Sequence, residues 1–301
     1  MKSIAVLIPC YNEESTIAEV VHSFKKYLPD AAIYVYDNCS NDRTAKLAEA
    51  AGAIVRKVID KGKGNVVRKM FSDANADISI MVDGDSTYDA SDAPQMVSII
   101  ESSHADMVVA VRRELSDQAY RGGHKIGNKI FNFILKALFK STFTDVFSGY
   151  RAFSKRFVKT FPATTNGFDV EIELSIHALT LSIPFAEIES KYQERPANSH
   201  SKLSTFKDGF QILSRIILLL KETRPLFFLG IISLIFFLLS IIMSYPIILT
   251  FLDTGLVPRI PTTVLCTGLI IISFFSMICG VILDSISQAR MEAKKMHYLL
   301  F

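Results

Sequence analysis

A chain of 301 residues is long enough for one large domain or two small ones. Half of its residues are apolar and the mean hydropathy is +0.29, which is high for a soluble globular protein. A net charge of +3 is too slight to argue for nucleic acid, and Cys10, Cys39, Cys266 and Cys279 show neither metal nor redox spacing, so they read as reduced thiols.

Residues 1–4 have no signal-peptide layout and lead straight into a strand-like run, so the front of the chain is expected in the cytoplasm. Residues 4–8 are a short apolar run ended by Pro9 and predict a first strand. Helix-compatible residues 15–27 follow, with Ser15 as the expected cap. Residues 33–36 read as a second strand, 42–51 as a second helix closed by Gly52, and 53–58 as a third strand. A third helix is expected over 62–71, a fourth strand over 78–82, and a fourth helix over 92–102 with Pro94 in its first turn. Residues 107–111 make a fifth strand. Short, continuously apolar strands separated by helices predict an α/β fold, a mostly parallel sheet with helices on both faces. In such sheets ligands bind beyond the carboxyl ends of the strands, where the unusual residues of this chain fall.

Residues 127–140 predict an amphipathic helix, with Lys125, Lys129, Lys136 and Lys140 along one stripe and Ile126, Ile130, Ile134, Ala137 and Leu138 facing away. It reads either as a helix packed on the sheet or as one lying on anionic lipid headgroups. A second amphipathic helix is expected over 209–221. Residues 226–252 hold no charge, and neither do 260–283. A bilayer core needs about 20 apolar residues in a helix, so both stretches read as transmembrane helices, about 226–250 and 262–284. Lys221 and Arg224 precede the first and Arg290, Lys294 and Lys295 follow the second, while the loop between them carries only Arg259. That bias puts both termini on the cytoplasmic side. The expected organisation is a cytoplasmic catalytic domain over 1–205, a juxtamembrane amphipathic helix over 206–224, and two spans within 225–301 with a short cytoplasmic tail.

The strongest chemical signal is Asp83-Gly84-Asp85, directly after the fourth strand. Two carboxylates two residues apart at a strand end can hold one Mg²⁺ or Mn²⁺, hard cations that prefer oxygen ligands. Taken alone, such a pair is often a solvated turn. The turns Pro9-Cys10-Tyr11-Asn12-Glu13 and Asp37-Asn38-Cys39-Ser40-Asn41-Asp42-Arg43-Thr44 follow the first and second strands. A carboxylate in either can accept hydrogen bonds from a ribose or base, and Asp42 also serves as a helix cap. Lys61-Gly62-Lys63-Gly64 opens the third helix, where glycines and lysines suit a phosphate. The six histidines show no metal-ligand spacing.

The ordered set Pro-x-Tyr-Asn-Glu, Asp-Asn-x-Ser-x-Asp-x-Thr, Lys-Gly-x-Gly and Asp-x-Asp resembles the family 2 glycosyltransferases of GT-A fold. Within them the chain is most similar to the dolichyl- and undecaprenyl-phosphate sugar synthases, including bacterial glucosyltransferases that modify O-antigen. Three further segments carry that narrower resemblance: 145–151 (Asp-Val-Phe-Ser-Gly-Tyr-Arg), 168–173 (Phe-Asp-Val-Glu-Ile-Glu) and 195–203, with Arg195, Ser201 and Lys202. It covers about residues 3–224. Thr87 stands where relatives often place a glutamine, Asn198-Ser199 where glycine is usual, and Arg112-Arg113 where they have an Arg-Tyr segment.

The resemblance implies an inverting transfer from a nucleotide-sugar, uridine-linked by preference, to a polyprenyl phosphate at the cytoplasmic face of a bacterial inner membrane. Pro9, Tyr11, Glu13 and Asp37 would bind the nucleotide-sugar, with Glu13 and Asp37 on the nucleoside. Asp85, helped by Asp83, would hold the metal, and Arg112 or Arg113 with Lys61 or Lys63 would balance the diphosphate. Arg151, Arg195 and Lys202 would guide the acceptor phosphate, and Asp145 would orient Arg151 or act as a base, orientation being preferred. Glu171 and Glu173 sit two apart on an expected helix, so at most one should face the site. A homo-oligomer built through the spans is also compatible with the family. Two other readings remain at this stage. One is a transferase acting on a lipid-linked saccharide or other lipid hydroxyl, with Asp145 as base. The other is an inactive membrane scaffold, against which the intact Asp83, Asp85, Arg195 and Lys202 argue.

Overall fold

The computed structural model describes residues 2–102, 104–114, 143–165, 167, 170–193, 217–218, 220–257 and 259–300. The expected helix over 127–140, most of that over 209–221, and both Arg195 and Lys202 lie outside the described residues. Two compact units are present, residues 1–209 with 294–301, and residues 210–293.

The first unit is built on strands β1 (Ile4–Cys10), β2 (Ala32–Asp37), β3 (Ile54–Lys57), β4 (Ile78–Met81), β5 (Met107–Glu114), β6 (Arg151–Ser154) and β7 (Phe185–Tyr192). They form one sheet in the order β3-β2-β1-β4-β6-β5-β7. Among these strands only β6 is reversed, pairing antiparallel with β4 and β5, while the other pairs are parallel. Residues 5–8 of β1 and all four of β4 are buried, as continuously apolar strands must be when both faces of a sheet are covered. The helices of this unit are α1 (Ile17–Tyr27), α2 (Thr44–Ala50), α3 (Lys63–Asp73), α4 (Ala93–Glu101), α5 (Lys155–Thr160) and α6 (Val170–Leu181). Helix α1 turns Ile17, Val20, Val21 and Phe24 to the core, one apolar stripe at helical spacing. Burying each such side chain contributes about 1.5–3 kcal/mol.

All five expected strands and four expected helices are present, with ends that differ by at most three residues, the largest being β5, which runs on to Glu114. Helix α1 starts at Ile17 because Thr16, not Ser15, occupies the flanking position. Asp42 accepts the Thr44 amide at 2.9 Å, so it does serve the start of α2, from one residue before the flanking Arg43. Strands β6 and β7 extend the sheet beyond the sequence reading. β6 is only four residues long, and β7 alternates charged and apolar residues at the sheet edge, so neither carries the buried-strand signature.

Helix α7 (Pro225–Thr254) and, as far as residue 293, helix α8 (Ile260–Leu299) make up most of the described part of the second unit, and both helices are long and apolar enough to cross a membrane. Gly255 ends α7 in the left-handed conformation (φ 68°) that glycine adopts without a steric penalty. Small and hydroxyl residues join the two helices. The Ser233 and Ser273 hydroxyls lie 3.0 Å apart, Ser273 also donates to the Ser233 carbonyl at 2.9 Å, and Ser240 donates to the Cys266 carbonyl at 2.9 Å. A Cβ on Gly280 would stand 3.3 Å from that of Leu229. Close approach at small residues and interhelical hydrogen bonds are what join helices where the solvent is as apolar as they are.

The residues expected as a short tail stay helical to Leu299, and the last of them belong to the first unit. There the Tyr298 phenol hydrogen-bonds Asp106, Arg156 pairs with Asp106 at 2.5 Å, and the Arg156 guanidinium lies 4.4 Å from the Tyr298 ring centroid. Tyr298→Phe keeps the ring and removes the hydroxyl from the buried Asp106, so it is expected to destabilise the first unit by about 1–2 kcal/mol. Thermal unfolding should register a drop of a few degrees; an unchanged midpoint would show that this docking contributes no stability.

Candidate active site

The loops after β1, β2 and β4 converge at the carboxyl edge of the sheet. They are bound to one another before any ligand is considered. The Asn12 amide donates to Ser40 Oγ at 2.9 Å, Asn41 donates to Asn12 Oδ1 at 2.8 Å, and Glu13 donates to Thr44 Oγ1 at 2.9 Å. Asn38 links the second loop to the next, giving its amide hydrogens to the carbonyls of Val58 and Asp60 and accepting from the Gly62 amide at 2.8 Å. Thr16, flanking α1, donates to the Gly84 carbonyl at 2.7 Å and so ties the Asp83–Asp85 turn to the first loop. Each loop also holds one residue other than glycine at positive φ: Asn12 (52°), Cys39 (62°) and Ser86 (59°). Such conformations cost about 1 kcal/mol or more each and collect where side chains must be held in a set direction.

Within this frame Asp37 and Glu13 are buried, and Lys61 places its ammonium 5.9 Å from the Tyr11 ring centroid. Pro9 lies at the end of β1, beside Tyr36 of β2. Asp85 is 2% exposed and receives Thr87 Oγ1 at 2.6 Å on Oδ1. Thr87 therefore orients Asp85, whatever else it meets. Asp83 Oδ1 receives the Lys63 ammonium at 2.5 Å, and the same ammonium reaches Glu171 Oε1 at 2.5 Å. Burial alone would push the Lys63 ammonium down, but Asp83 and Glu171 outweigh it and raise it well above its ordinary value, so it is charged. Glu171 and Glu173 do point apart: Glu171 meets Lys63, whereas Glu173 accepts from Thr164 and Thr165.

Arg112 and Arg113 are neighbours on β5 and so lie on opposite faces. Arg113 pairs with Glu189 in solvent, both side chains about 70% exposed (74% and 69%), while Arg112 turns inward. Arg112 grips Asp145 with two parallel bonds, Nε to Oδ2 at 2.7 Å and an η nitrogen to Oδ1 at 2.8 Å. Burial pushes the Asp145 carboxyl up, but the Arg112 guanidinium and the Arg112 and Phe147 amides hold it below its ordinary value. A carboxylate so held is a poor proton acceptor at neutral pH. The sequence reading made Asp145 the partner of Arg151; its partner is Arg112. Arg151 itself is 0% exposed, and its guanidinium donates to the carbonyls of Ser148 (2.8 Å) and Val146 (2.7 Å) and to Ser175 Oγ (2.9 Å). Burial pushes it down to about 10, which still leaves it charged. It holds the 145–150 loop from behind and offers no guanidinium edge to an acceptor.

A family model, Glycosyl transferase family 2, matches residues 5–161, more than half of the chain. The chain belongs to that family. Protein RfbJ of Shigella flexneri is 58% identical over 124 residues, 41% of this chain and 96% of that protein. Glycosyltransferase AglJ of Haloferax volcanii is 28% identical over 229 residues, 76% of this chain and 75% of that protein. A solved structure of glucosyl-3-phosphoglycerate synthase from Mycobacterium tuberculosis, in complex with Mn²⁺, UDP-glucose and phosphoglyceric acid, superposes with a TM-score of 0.58. At 22% identity over 73% of this chain and 79% of that one, it shows a shared GT-A fold.

In this glycosyltransferase two site residues escaped the sequence reading. Tyr88 accepts the Gly149 amide at 3.0 Å and packs its ring on Tyr150 and Tyr192. Tyr192, at the end of β7, lies under the Arg112 guanidinium at 5.5 Å. Aromatic residues near a strand end carry no local signal that sets them apart from core. Gly149 has a steric role: a Cβ there would stand 2.5 Å from Asp83 Oδ2. Gly149→Ala is therefore expected to displace the Asp83 carboxylate and lower transfer about tenfold or more with little change in unfolding temperature. Unaltered kinetics would mean that Asp83 has room to move without consequence.

Proposed function

We propose that this glycosyltransferase moves a sugar from a nucleoside diphosphate sugar, UDP-linked by preference, to a polyprenyl phosphate in the cytoplasmic membrane of a bacterium. The observation that carries the acceptor class is the Arg112–Asp145 pair. An acceptor hydroxyl needs a base to take its proton, and Asp145, the residue that the hydroxyl-acceptor reading would need as base, is held ionised by a two-pronged arginine. An acceptor phosphate is already largely ionised at neutral pH and needs placement only. The site also suits a divalent cation. Asp83 and Asp85 follow the end of β4, Gly149 lets the Asp83 carboxylate stand where a Cβ would meet Oδ2 at 2.5 Å, and the Lys63 ammonium already stands in as a cation on Oδ1. Two carboxylates are what Mg²⁺ commonly takes from a protein when substrate phosphates complete its coordination. Bound there, Mg²⁺ or Mn²⁺ would neutralise the diphosphate as it leaves.

Glu13 and Asp37 then take the nucleoside, with Pro9 and Tyr11 beside them, and Lys61, Lys63 and Arg112 balance the diphosphate. Arg195 and Lys202 guide the acceptor phosphate, whose oxygen attacks the anomeric carbon as the bond to the nucleotide breaks on the opposite face. Helices α7 and α8 keep the enzyme at the bilayer in which the acceptor's chain is dissolved.

The test is a transfer assay on the full chain in nanodiscs, with a panel of UDP- and GDP-sugars, Mg²⁺ or Mn²⁺, and either undecaprenyl phosphate or undecaprenol. Metal-dependent transfer to the phosphate and none to the alcohol is expected. Its rate should rise through the acceptor's second ionisation, near about pH 6, and level off above it. Transfer to the alcohol alone would sink the reading.

A further inference from the structure

Lys63 is the first residue of α3 and stands between carboxylates from two distant parts of the chain, Asp83 after β4 and Glu171 on α6. Its ammonium is 2.5 Å from both, and the three side chains are largely hidden from water. Asp83 is one of the two carboxylates assigned above to the metal, so its Oδ1 is already occupied by a cation. Glu171 has no such assignment. It is buried, and among the described residues its ion pair is with Lys63 and its Oε2 receives no hydrogen bond.

We propose that Lys63 is a place-holder for the metal on Asp83, that Glu171 is the residue positioning it, and that metal and nucleotide-sugar consequently bind together and not singly. The inference rests on the metal reading given above and deepens it. A divalent cation approaching Asp83 alone meets a positive charge already paired with the same carboxylate, and the two repel at short range. A nucleotide-sugar changes the balance, because its diphosphate supplies negative charge for both cations. Lysine carries its charge on a flexible four-carbon stem, so it can leave Asp83 for the diphosphate with little backbone movement. Glu171 retains a hold on the ammonium throughout and takes part of its charge away from Asp83. The coupling is reciprocal: nucleotide raises metal affinity by the factor by which metal raises nucleotide affinity. It also keeps the enzyme from filling its donor site with metal when no donor is present.

The test reads Mn²⁺ binding by the loss of its free electron-paramagnetic-resonance signal, on the full chain in nanodiscs, with and without UDP. Wild type should bind Mn²⁺ weakly alone and at least about thirtyfold more tightly with UDP. Lys63→Met, which removes the charge and keeps the buried stem, should bind Mn²⁺ alone about tenfold more tightly than wild type, and the effect of UDP should shrink accordingly. Glu171→Gln should shift the other way, weakening Mn²⁺ alone severalfold because the whole lysine charge then falls on Asp83. Opposite signs from two variants of one ion pair cannot come from a general loss of structure. Should Lys63→Met fail to fold, Glu171→Gln decides: Mn²⁺ affinity equal to or above wild type overturns the proposal. Mn²⁺ bound with UDP by all three proteins, but no tighter by Lys63→Met alone, would overturn the place-holder and leave the metal reading standing. No Mn²⁺ bound by any of them, even with UDP, would remove both.

Discussion

Asp85→Asn is expected to lower sugar transfer by at least about 10³-fold, roughly 4 kcal/mol of transition-state stabilisation, while leaving the fold intact. Asparagine is nearly the same shape, and its amide oxygen can still accept the Thr87 hydroxyl that orients Asp85 at 2.6 Å. What it loses is the negative charge. A neutral amide cannot hold a hard divalent cation against water as a carboxylate does, and the departing diphosphate is left without its counter-charge. Transfer from UDP-sugar to undecaprenyl phosphate, followed beside the thermal midpoint, separates the two effects. An unchanged midpoint with activity lost places Asp85 in the chemistry; activity within tenfold of wild type would take the metal away from this turn.

Arg151→Met is the second, and its expected effect is on stability. Methionine fills much of the arginine volume but returns none of its donors. The Val146 and Ser148 carbonyls and Ser175 Oγ each lose a bond of 2.7–2.9 Å in a place water does not reach. An orphaned buried polar group costs about 1–3 kcal/mol, so a loss of about 3–5 kcal/mol is expected overall. For a unit of this size that lowers the thermal midpoint by about 6–20 °C. The resemblance had placed Arg151 at the acceptor phosphate, and the two roles differ in what they move. A guiding residue would raise the acceptor KM in a protein of normal stability, and that result would refute the structural role.

Much of the fold was legible because its signals are local. Buried parallel strands announce themselves as apolar runs, α1 and α4 as stripes at helical spacing, and α7 and α8 as long uncharged stretches. The Asp83-Gly-Asp85 turn was legible for the same reason, as a pair of carboxylates directly after such a run. Strands β6 and β7 were not, since a four-residue strand and an alternating edge strand look like loop or half-buried surface until the sheet is assembled.

By itself, the sequence determined the α/β class, the parallel core, the two apolar helices and the residue types gathered at the carboxyl edge. Tertiary structure alone decided partnership. Arg112 and not Arg113 faces inward because the pleat of β5 sends neighbours to opposite sides. Asp145 found Arg112, 33 residues away, and left Arg151 to the interior. Lys63 met Glu171 only because α6 packs near the start of α3, and Tyr298 reached Asp106 across 192 residues. Periodicity and capping act over a few residues, whereas an ion pair forms between whichever charges the strand order brings within about 4 Å. That order is a property of the assembled sheet.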